Sequence, residues 1–359
     1  MIDWSKVQKI LIVKLRSIGD TVLATPSLIV LRRFLPDAKI DILLEDRIAP
    51  ILQGFEFVNE VITVNGNSLA SKLRVALKIR RVGYDVAFNL HGGTTATFFV
   101  AASGAKHRVG YKELQYSFIY NHLLSSAADF WGRDCTHSAE QQLALLGFVG
   151  VPVEDRPLSQ LAVQDGARKT LFEKISKVFD FSRHIALIHP SATLETKKWP
   201  IGNFARLAEF LYEIGLQPIA VGSREDEELL KRLCEACRIP LITTSELTLP
   251  ETVALAKEAV IFVGNDSGIA HIAAAMQTPL VVIFGSSNIN HWRPWTNAPH
   301  EIVHKNMPCQ PCPGYVCKEF DKPRCILEIE VKEVMEAVER VLFKAYRSFI
   351  FSQKIGPGL

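Results

Sequence analysis

The hydrophobic residues of this chain occur in short continuous runs, separated by segments in which they recur at helical spacing. The first run, Lys9 to Lys14, contains four successive apolar residues, which is typical of a strand covered on both faces of a parallel sheet. Leucines at helical spacing follow Gly19-Asp20-Thr21 and predict one helix that continues to Pro36. Further strands are predicted at 39–44, 60–64, 84–90, 185–190, 217–222, 258–262 and 279–284, and further helices at 69–81, 204–214 and 269–276. This alternation predicts an α/β protein with parallel sheets and helices on both faces.

The length of the chain predicts two domains. A chain of 359 residues exceeds the size at which single hydrophobic cores stop growing, about 250–300 residues. Residues 150–164 contain two prolines and two acidic residues, which is typical of a connection between domains. We therefore expect two doubly wound, Rossmann-like domains facing a cleft, one over 1–165 and one over 166–335. A helix and tail over 336–359 follow them.

Composition and charge exclude several classes of protein. The formal net charge of +3 at pH 7 is too small to indicate a nucleic-acid-binding protein. No apolar run approaches the roughly 20 residues of a membrane span, and no signal peptide precedes the first strand, so we expect a cytoplasmic protein. No G-x-G-x-x-G motif follows a predicted strand, which disfavours a dehydrogenase.

A cysteine-rich loop lies near the end of the second domain. Four of the seven cysteines occur there with C-x2-C-x4-C-x7-C spacing, namely Cys309, Cys312, Cys317 and Cys325. In a cytosolic protein such a cluster indicates a structural zinc site before it indicates disulfides. The spacing departs from paired zinc knuckles, and the alternative is a loop packed by small buried thiols.

The segment from Val263 to His271 predicts a phosphate-binding turn. An apolar strand ends there in Gly264-Asn265-Asp266-Ser267-Gly268, and a helix of small residues begins. A helix start offers backbone N–H groups and a positive dipole end to an anion. Gly268 would let the backbone approach the ligand, Ser267 adds a hydroxyl donor, and His271 lies one turn further on the same side. The alternative is an ordinary turn in which Asp266 or Ser267 only caps the helix.

Three other loops follow predicted strands at the same type of sheet edge. Asp20, in the loop that begins at Arg16, is placed to accept a proton from a hydroxyl nucleophile, unless it only caps the next helix. The loop from His189 to Pro200 offers hydroxyls and two lysines to a diphosphate, although one lysine is expected to be solvated. The acidic run Glu225 to Glu228 could bind ribose hydroxyls or simply favour a helix start. Because the sequence contains no clear Asp-x-Asp motif, lysine, hydroxyls and a helix start would have to neutralise the diphosphate without Mg²⁺.

Taken together, Ile18-Gly19-Asp20, Lys197-Lys198-Trp199-Pro200 and Gly264 to His271 resemble glycosyltransferase family 9, the ADP-heptose:lipopolysaccharide heptosyltransferases. The likeness covers nearly the whole chain. The segment from His291 to Trp295 is most similar to the heptosyltransferase III branch, and the cysteine-rich loop to heptosyltransferase II.

The resemblance implies a GT-B fold, inversion at the anomeric carbon and no required cofactor or metal. It makes Asp20 the catalytic base. It assigns donor binding to Ser191, Lys197, Glu228, Asp266, Ser267, Gly268 and His271, with Glu228 on the ribose and its neighbours Asp226 and Glu227 as alternatives. Arg16 and His91 are candidates for acceptor binding. The chain end would pack back on the N-terminal domain.

The resemblance also implies the partners. These are ADP-heptose as the donor, an anionic lipopolysaccharide-core acceptor in a Gram-negative cell, and peripheral contact with the inner face of the inner membrane. Basic residues between Lys72 and Lys112 agree with an anionic acceptor, although a solvated helix face would explain them equally well. Three alternatives stay open: a transferase for another nucleotide sugar, a nucleotide-sugar epimerase with the same fold, and a non-catalytic glycolipid-binding relative.

Overall fold

The computed structural model describes residues 2–176, 179, 182–312 and 314–354 of the chain. The described chain divides after Ala162 into two compact units. This division lies within the proline-containing segment 150–164. Among the described residues, no helix combines the length and the apolar character that crossing a membrane would require.

The first unit is built on one parallel sheet of six strands. The strands are β1 (Lys9–Val13), β2 (Lys39–Glu45), β3 (Glu60–Val64), β4 (Val86–Asn89), β5 (His107–Tyr111) and β6 (His122–Leu124). The helices are α1 (Ile18–Val22), α2 (Thr25–Phe34), α3 (Leu69–Val82), α4 (Gly93–Ser103), α5 (Ala127–Trp131) and α6 (Ser138–Phe148). The strands lie in the order β3-β2-β1-β4-β5-β6.

The second unit repeats this plan. Its strands are β7 (His184–His189), β8 (Leu216–Val221), β9 (Ile242–Thr244), β10 (Ala259–Asn265), β11 (Leu280–Phe284) and β12 (His300–His304). Its helices are α7 (Asp165–Ile175), α8 (Ile201–Glu213), α9 (Glu227–Ala236), α10 (Leu249–Glu258), α11 (Gly268–Ala275), α12 (Ile289–Trp292), α13 (Arg324–Leu327) and α14 (Val331–Lys354). The parallel strands lie in the order β12-β11-β10-β7-β8-β9. Counted within its own unit, each sheet therefore has the order 3-2-1-4-5-6 of a doubly wound fold, and the predicted α/β fold class is confirmed.

Burial explains why the central strands are almost wholly apolar. Every residue of β4, β8 and β11 is buried, because helices cover both faces of a parallel sheet. Each unit has its own core. The core of the first unit includes Leu11, Val13, Leu43, Ile79 and Phe99, and that of the second includes Ile188, Phe204, Leu211, Val263 and Ile283.

The prediction of one long helix after β1 is wrong. The structure has two helices there, α1 and α2, with a break between Val22 and Thr25. Pro26 explains the break, because its ring has no N–H to continue the ladder and clashes with the carbonyl one turn earlier. Thr25 Oγ1 instead donates to Val22 O over 2.7 Å. Strands β5, β6, β9 and β12 were not predicted from the sequence, because they are short or carry polar residues.

The C-terminal helix α14 completes the second core. It packs against α8, β10, β11 and β12 and buries Val334, Ala337, Val338 and Val341. Residues 355–359 of the expected tail lie outside the described residues. Docking of the chain end on the N-terminal domain stays a prediction.

Candidate active site

The strand order predicts where each unit can bind a ligand. In each sheet the first and fourth strands lie side by side, β1 beside β4 and β7 beside β10. The loops that leave this pair diverge to opposite faces of the sheet and open a crevice at the carboxyl ends. Most of the predicted site residues follow these four strands, whereas Asp226 and Glu228 follow β8.

In the first unit, a lysine and an aspartate meet at the end of β1. Lys14 Nζ lies 3.2 Å from Asp20 Oδ1 and donates to Leu90 O, just beyond β4, over 2.8 Å. Asp20 Oδ2 accepts from Ser17 Oγ at 2.9 Å and closes a capping box at the start of α1. Asp20 is therefore not the N-cap residue itself: the N-cap is Ser17, and Asp20 is the third residue of α1. One of its oxygens closes the capping box, while the other faces a buried ammonium group.

Burial and charge act in opposite directions on this pair. Burial lowers the pKa of Lys14, whose side chain is 4% exposed, and the negative charge of Asp20 partly restores it. Burial raises the pKa of Asp20, but the Lys14 ammonium and the Ser17 hydroxyl outweigh it, and the net pKa is lowered. Asp20 is therefore a carboxylate at neutral pH. Its side chain stays 30% exposed, so a substrate hydroxyl can reach it.

The two residues predicted for acceptor binding lie in the same loops. Arg16 is 60% exposed and its Nε lies 3.9 Å from Glu45 Oε1. His91 follows β4. Its pKa is lowered, chiefly by burial and by the Lys14 charge, although Asp20 and a hydrogen bond with the backbone of Arg16 act in the opposite direction. The structure thus brings Arg16, Asp20 and His91 together around Lys14. Lys14 was not predicted as a site residue from the sequence. A lysine directly after an apolar strand was the signal available for it.

In the second unit, Lys197 and Asp266 form a partly buried ion pair. Lys197 Nζ lies 2.8 Å from Asp266 Oδ2, and the Asp266 side chain is only 6% exposed. The same carboxylate oxygen accepts from Ser287 Oγ at 2.5 Å. Lys198 instead pairs with Glu195. The structure therefore separates the two neighbouring lysines, one in the crevice and one at the surface.

The turn after β10 has the geometry of an anion site. Ser267 is the N-cap residue of α11, but its hydroxyl does not cap the helix. Ser267 Oγ lies 3.0 Å from His189 Nδ1, and burial lowers the pKa of His189 to about 4, so this imidazole is neutral. Gly268 begins the helix and His271 is buried one turn later. The amides at the start of α11 are therefore left without a side-chain cap.

An acidic residue lies beside the loop after β7. Ser191 Oγ donates to Asp226 Oδ1, and Asp226 Oδ2 accepts from the backbone and hydroxyl of Ser223. Burial opposes ionisation of Asp226, but these hydrogen bonds, led by that from Ser191, lower its pKa. Glu228 is exposed in the first turn of α9. Of the three acidic residues considered for the ribose, Asp226 is thus the one in contact with the predicted donor loop.

Buried contacts hold the loops after β7 and β10 together. Asn265 Oδ1 accepts from the Trp199 backbone and its amide group donates to Pro190 O over 2.8 Å. Trp199 is buried against Phe204 and donates from its ring to Ile329 O, so it serves packing. A Cβ on Gly264 would lie 2.7 Å from His189 O, so only glycine lets β10 approach β7 this closely.

Hydrogen bonds hold the cysteine-rich loop beside the crevice of the second unit. Cys312 N donates to Ser286 O over 2.9 Å, and Thr196 Oγ1 contacts both Ser286 Oγ and Gly314 O. All four cysteines of the loop are free thiols, and in the described part of the chain no three His, Cys, Asp or Glu residues are placed to hold a metal ion. Zinc binding by this loop stays a prediction.

Comparison with known proteins now gives the family. A family model described as "Glycosyltransferase family 9 (heptosyltransferase)" matches residues 72–322, which is more than half of the chain. The chain belongs to glycosyltransferase family 9. It is therefore an enzyme of the glycosyltransferase class, as the resemblance implied.

Individual relatives agree with this family. The chain is 27% identical over 337 residues to lipopolysaccharide heptosyltransferase 3 of Escherichia coli (strain K12), covering 90% of this chain and 95% of that protein. A family 9 glycosyltransferase from Veillonella parvula DSM 2008 has a TM-score of 0.81 at 19% identity, over 94% and 97% of the two chains. E. coli ADP-heptose lps heptosyltransferase II has a TM-score of 0.78 at 22% identity, over 94% and 99%. The two solved structures establish the fold.

Proposed function

We propose that this glycosyltransferase transfers heptose from ADP-L-glycero-D-manno-heptose to the inner core of lipopolysaccharide, with inversion and without a metal ion. The observation that carries the proposal is the pair of crevices, one with an ionised carboxylate and the other with a lysine beside a helix start. The names of the relatives support the donor and the acceptor, since they include lipopolysaccharide heptosyltransferase 3 and ADP-heptose lps heptosyltransferase II.

The donor is proposed to bind in the second unit. Lys197 and the uncapped amides from Gly268 onward would hold the diphosphate, with Ser191, Ser267 and His271 as further polar contacts. Asp266 would keep Lys197 in place through their 2.8 Å contact. Glu228 is the residue proposed to bind the ribose. Asp226 would fix the orientation of the Ser191 hydroxyl through their hydrogen bond.

The reaction is a direct displacement. Asp20 takes the proton of an acceptor hydroxyl as that oxygen attacks the anomeric carbon of the heptose. The bond from that carbon to the ADP oxygen breaks, and ADP leaves with the electron pair. Lys197 and the α11 amides stabilise the negative charge that develops on ADP, a role that elsewhere a metal ion can fill. Arg16 and His91, which lie in the same loops as Asp20, would orient an anionic acceptor.

The test is transfer from ADP-heptose to a purified core acceptor lacking the terminal heptose, followed by mass spectrometry and by NMR of the new anomeric centre. We expect a product with inverted configuration, formed equally well in EDTA. Asp20→Asn should lower turnover by at least about 1000-fold while ADP affinity, measured by calorimetry, stays within a factor of two. Lys197→Ala should weaken ADP binding itself.

Other outcomes would redirect the proposal. Transfer only from UDP- or GDP-sugars would leave the proposed role of Asp20 as the base unchanged but would contradict ADP-heptose as the donor. Epimerisation of the free nucleotide sugar would point to a second acid or base in the first crevice. Binding of the glycolipid without turnover by any donor would contradict an enzymatic role for this site.

A further inference from the structure

Helix α3 of the first unit carries a row of exposed leucines. Leu69, Leu73 and Leu77 are 72%, 52% and 59% exposed. They are spaced by four residues, so they follow one another along a single line of the helix surface. The core-facing side of the same helix is formed by Val75 and Ile79, which are buried. α3 is therefore apolar on two sides, of which only one is covered.

This row is unusual for a surface helix. Single exposed leucines are common on soluble proteins, but three in line form a contiguous apolar strip. The helix itself does not require them: Ser68 caps it by accepting from Ser71 N, and Gly83 ends it in a left-handed conformation. Charged or polar residues at these positions would form the same helix, so the leucines point to a partner for this face.

The charge around the row indicates the chemistry of that partner. α3 contains Lys72, Arg74, Lys78, Arg80 and Arg81. No Asp or Glu occurs from residue 61 to residue 84. Arg74 and Arg81 are exposed on the side of the helix adjoining the leucine row. An exposed apolar row flanked by cations matches a surface with an apolar interior and anionic groups at its boundary.

We propose that α3 docks on an anionic phospholipid bilayer. The leucine row would enter the boundary between headgroups and acyl chains, while the guanidinium groups meet the lipid phosphates. A second copy of this chain fits the face less well, since a symmetric contact through α3 would bring two basic helices together with no carboxylate from this segment between them. The inference rests on the proposed function for its purpose, which is to hold the enzyme where a glycolipid acceptor lies.

The experiment is flotation of the full-length protein with vesicles that contain no sugar acceptor, so its outcome does not depend on glycosyl transfer. We expect binding to phosphatidylethanolamine vesicles containing phosphatidylglycerol, weakening with added salt, and little binding to phosphatidylcholine alone. The triple variant L69S/L73S/L77S should bind at least about tenfold less, given the apolar area removed. Its ADP affinity and its turnover on a water-soluble core oligosaccharide should stay unchanged.

A matched control is available on the C-terminal helix. Phe343 and Tyr346 of α14 are 62% and 65% exposed and also lie among basic residues. The variant F343S/Y346S should bind vesicles like the unaltered protein, and R74Q/R81Q should lose affinity for anionic vesicles with a weaker dependence on salt. Loss of binding in F343S/Y346S alone would overturn the proposal. So would a dimer that the leucine variant dissociates without a change in vesicle binding, or an unaltered protein that binds no vesicle.

Discussion

Asp20 illustrates how a residue can serve structure and chemistry at once. One carboxylate oxygen closes the capping box with Ser17, and the other contacts Lys14, which is also held by Leu90 O. The ammonium group keeps Asp20 ionised despite its burial. An ionised but weakly basic carboxylate suits a reaction in which the proton leaves only as the new bond forms.

This pairing predicts a change in pH dependence when Lys14 is replaced. In Lys14→Met the charge that lowers the pKa of Asp20 is gone and burial, which raises it, stays. Activity is lost as pH falls through the pKa of the base, so the acidic limb of the kcat/KM profile should move up by about one pH unit or more. Lys14→Arg, which keeps the charge, is the control, and an unmoved acidic limb in Lys14→Met would contradict the role given to this contact.

Single residues were predictable where a motif fixed their place. Lys197, Asp266 and Ser267 follow strands that the apolar pattern defines, and the structure brings all three to one crevice. His189 and Ser287 were not singled out, since their roles depend on contacts with residues 78 and 21 positions away. Asp226 and Glu228 differ by only half a helical turn, and periodicity alone does not say which one contacts Ser191.

At the scale of elements, the crevice of the second unit depends on close approach between neighbouring strands and loops. Gly285 follows β11, and a Cβ there would lie 2.1 Å from Thr196 O, in the residue just before Lys197. Backbone atoms cannot move aside as a flexible side chain would. The position of Lys197 is therefore tied to the absence of a side chain at Gly285.

We expect Gly285→Ala to destabilise the protein by about 1–3 kcal/mol and to weaken ADP binding, because the loop carrying Lys197 must shift. Gly202→Ala in α8 is the matched control, since a Cβ there meets nothing within 4 Å and alanine favours a helix. Thermal unfolding midpoints and ADP calorimetry measure both effects. Equal unfolding midpoints and equal ADP affinities in the two variants would contradict this prediction, because the loop containing Thr196 could then move without cost.

The sequence predicted the central elements better than the edges. Strands such as β1 and β11 are continuous apolar runs because both of their faces are covered. The edge strand β12 is partly exposed along its length and contains two histidines, so its strand character comes from pairing with β11. Pro26 could have predicted the break between α1 and α2, but the leucines on either side of it continue at helical spacing and indicated one helix.

At the scale of the whole molecule, the two sheets share one strand order but carry different chemistry. The crevice of the first unit holds the Lys14–Asp20 pair, and that of the second holds the Lys197–Asp266 pair beside the start of α11. The common strand order follows from the βαβ pattern that the sequence displays in each half. The division of roles comes from a few loop residues, which the sheets only position.

This division predicts where ADP slows hydrogen exchange. Amides in 190–199 and 264–275 of the second unit should be protected when ADP binds, because the diphosphate is proposed to bind at the start of α11. Adenosine, which has no phosphates, should leave 264–275 nearly unchanged. Exchange measured by mass spectrometry checks this. Protection by ADP confined to residues 2–162 would contradict the prediction, because it would place the nucleotide in the first unit.

Helix α14 has a consequence for synthesis. It supplies Val334, Ala337, Val338 and Val341 to the second core, so that core is incomplete until residue 341 has left the ribosome. The first unit, by contrast, has all of its residues once translation has passed Ala162. Nascent chains would therefore pass through a stage with one finished unit and one exposing apolar strands, which is a state that chaperones bind. A chain truncated near position 331 would contain all of the proposed donor-binding residues but would lack the helix that completes the core of their unit.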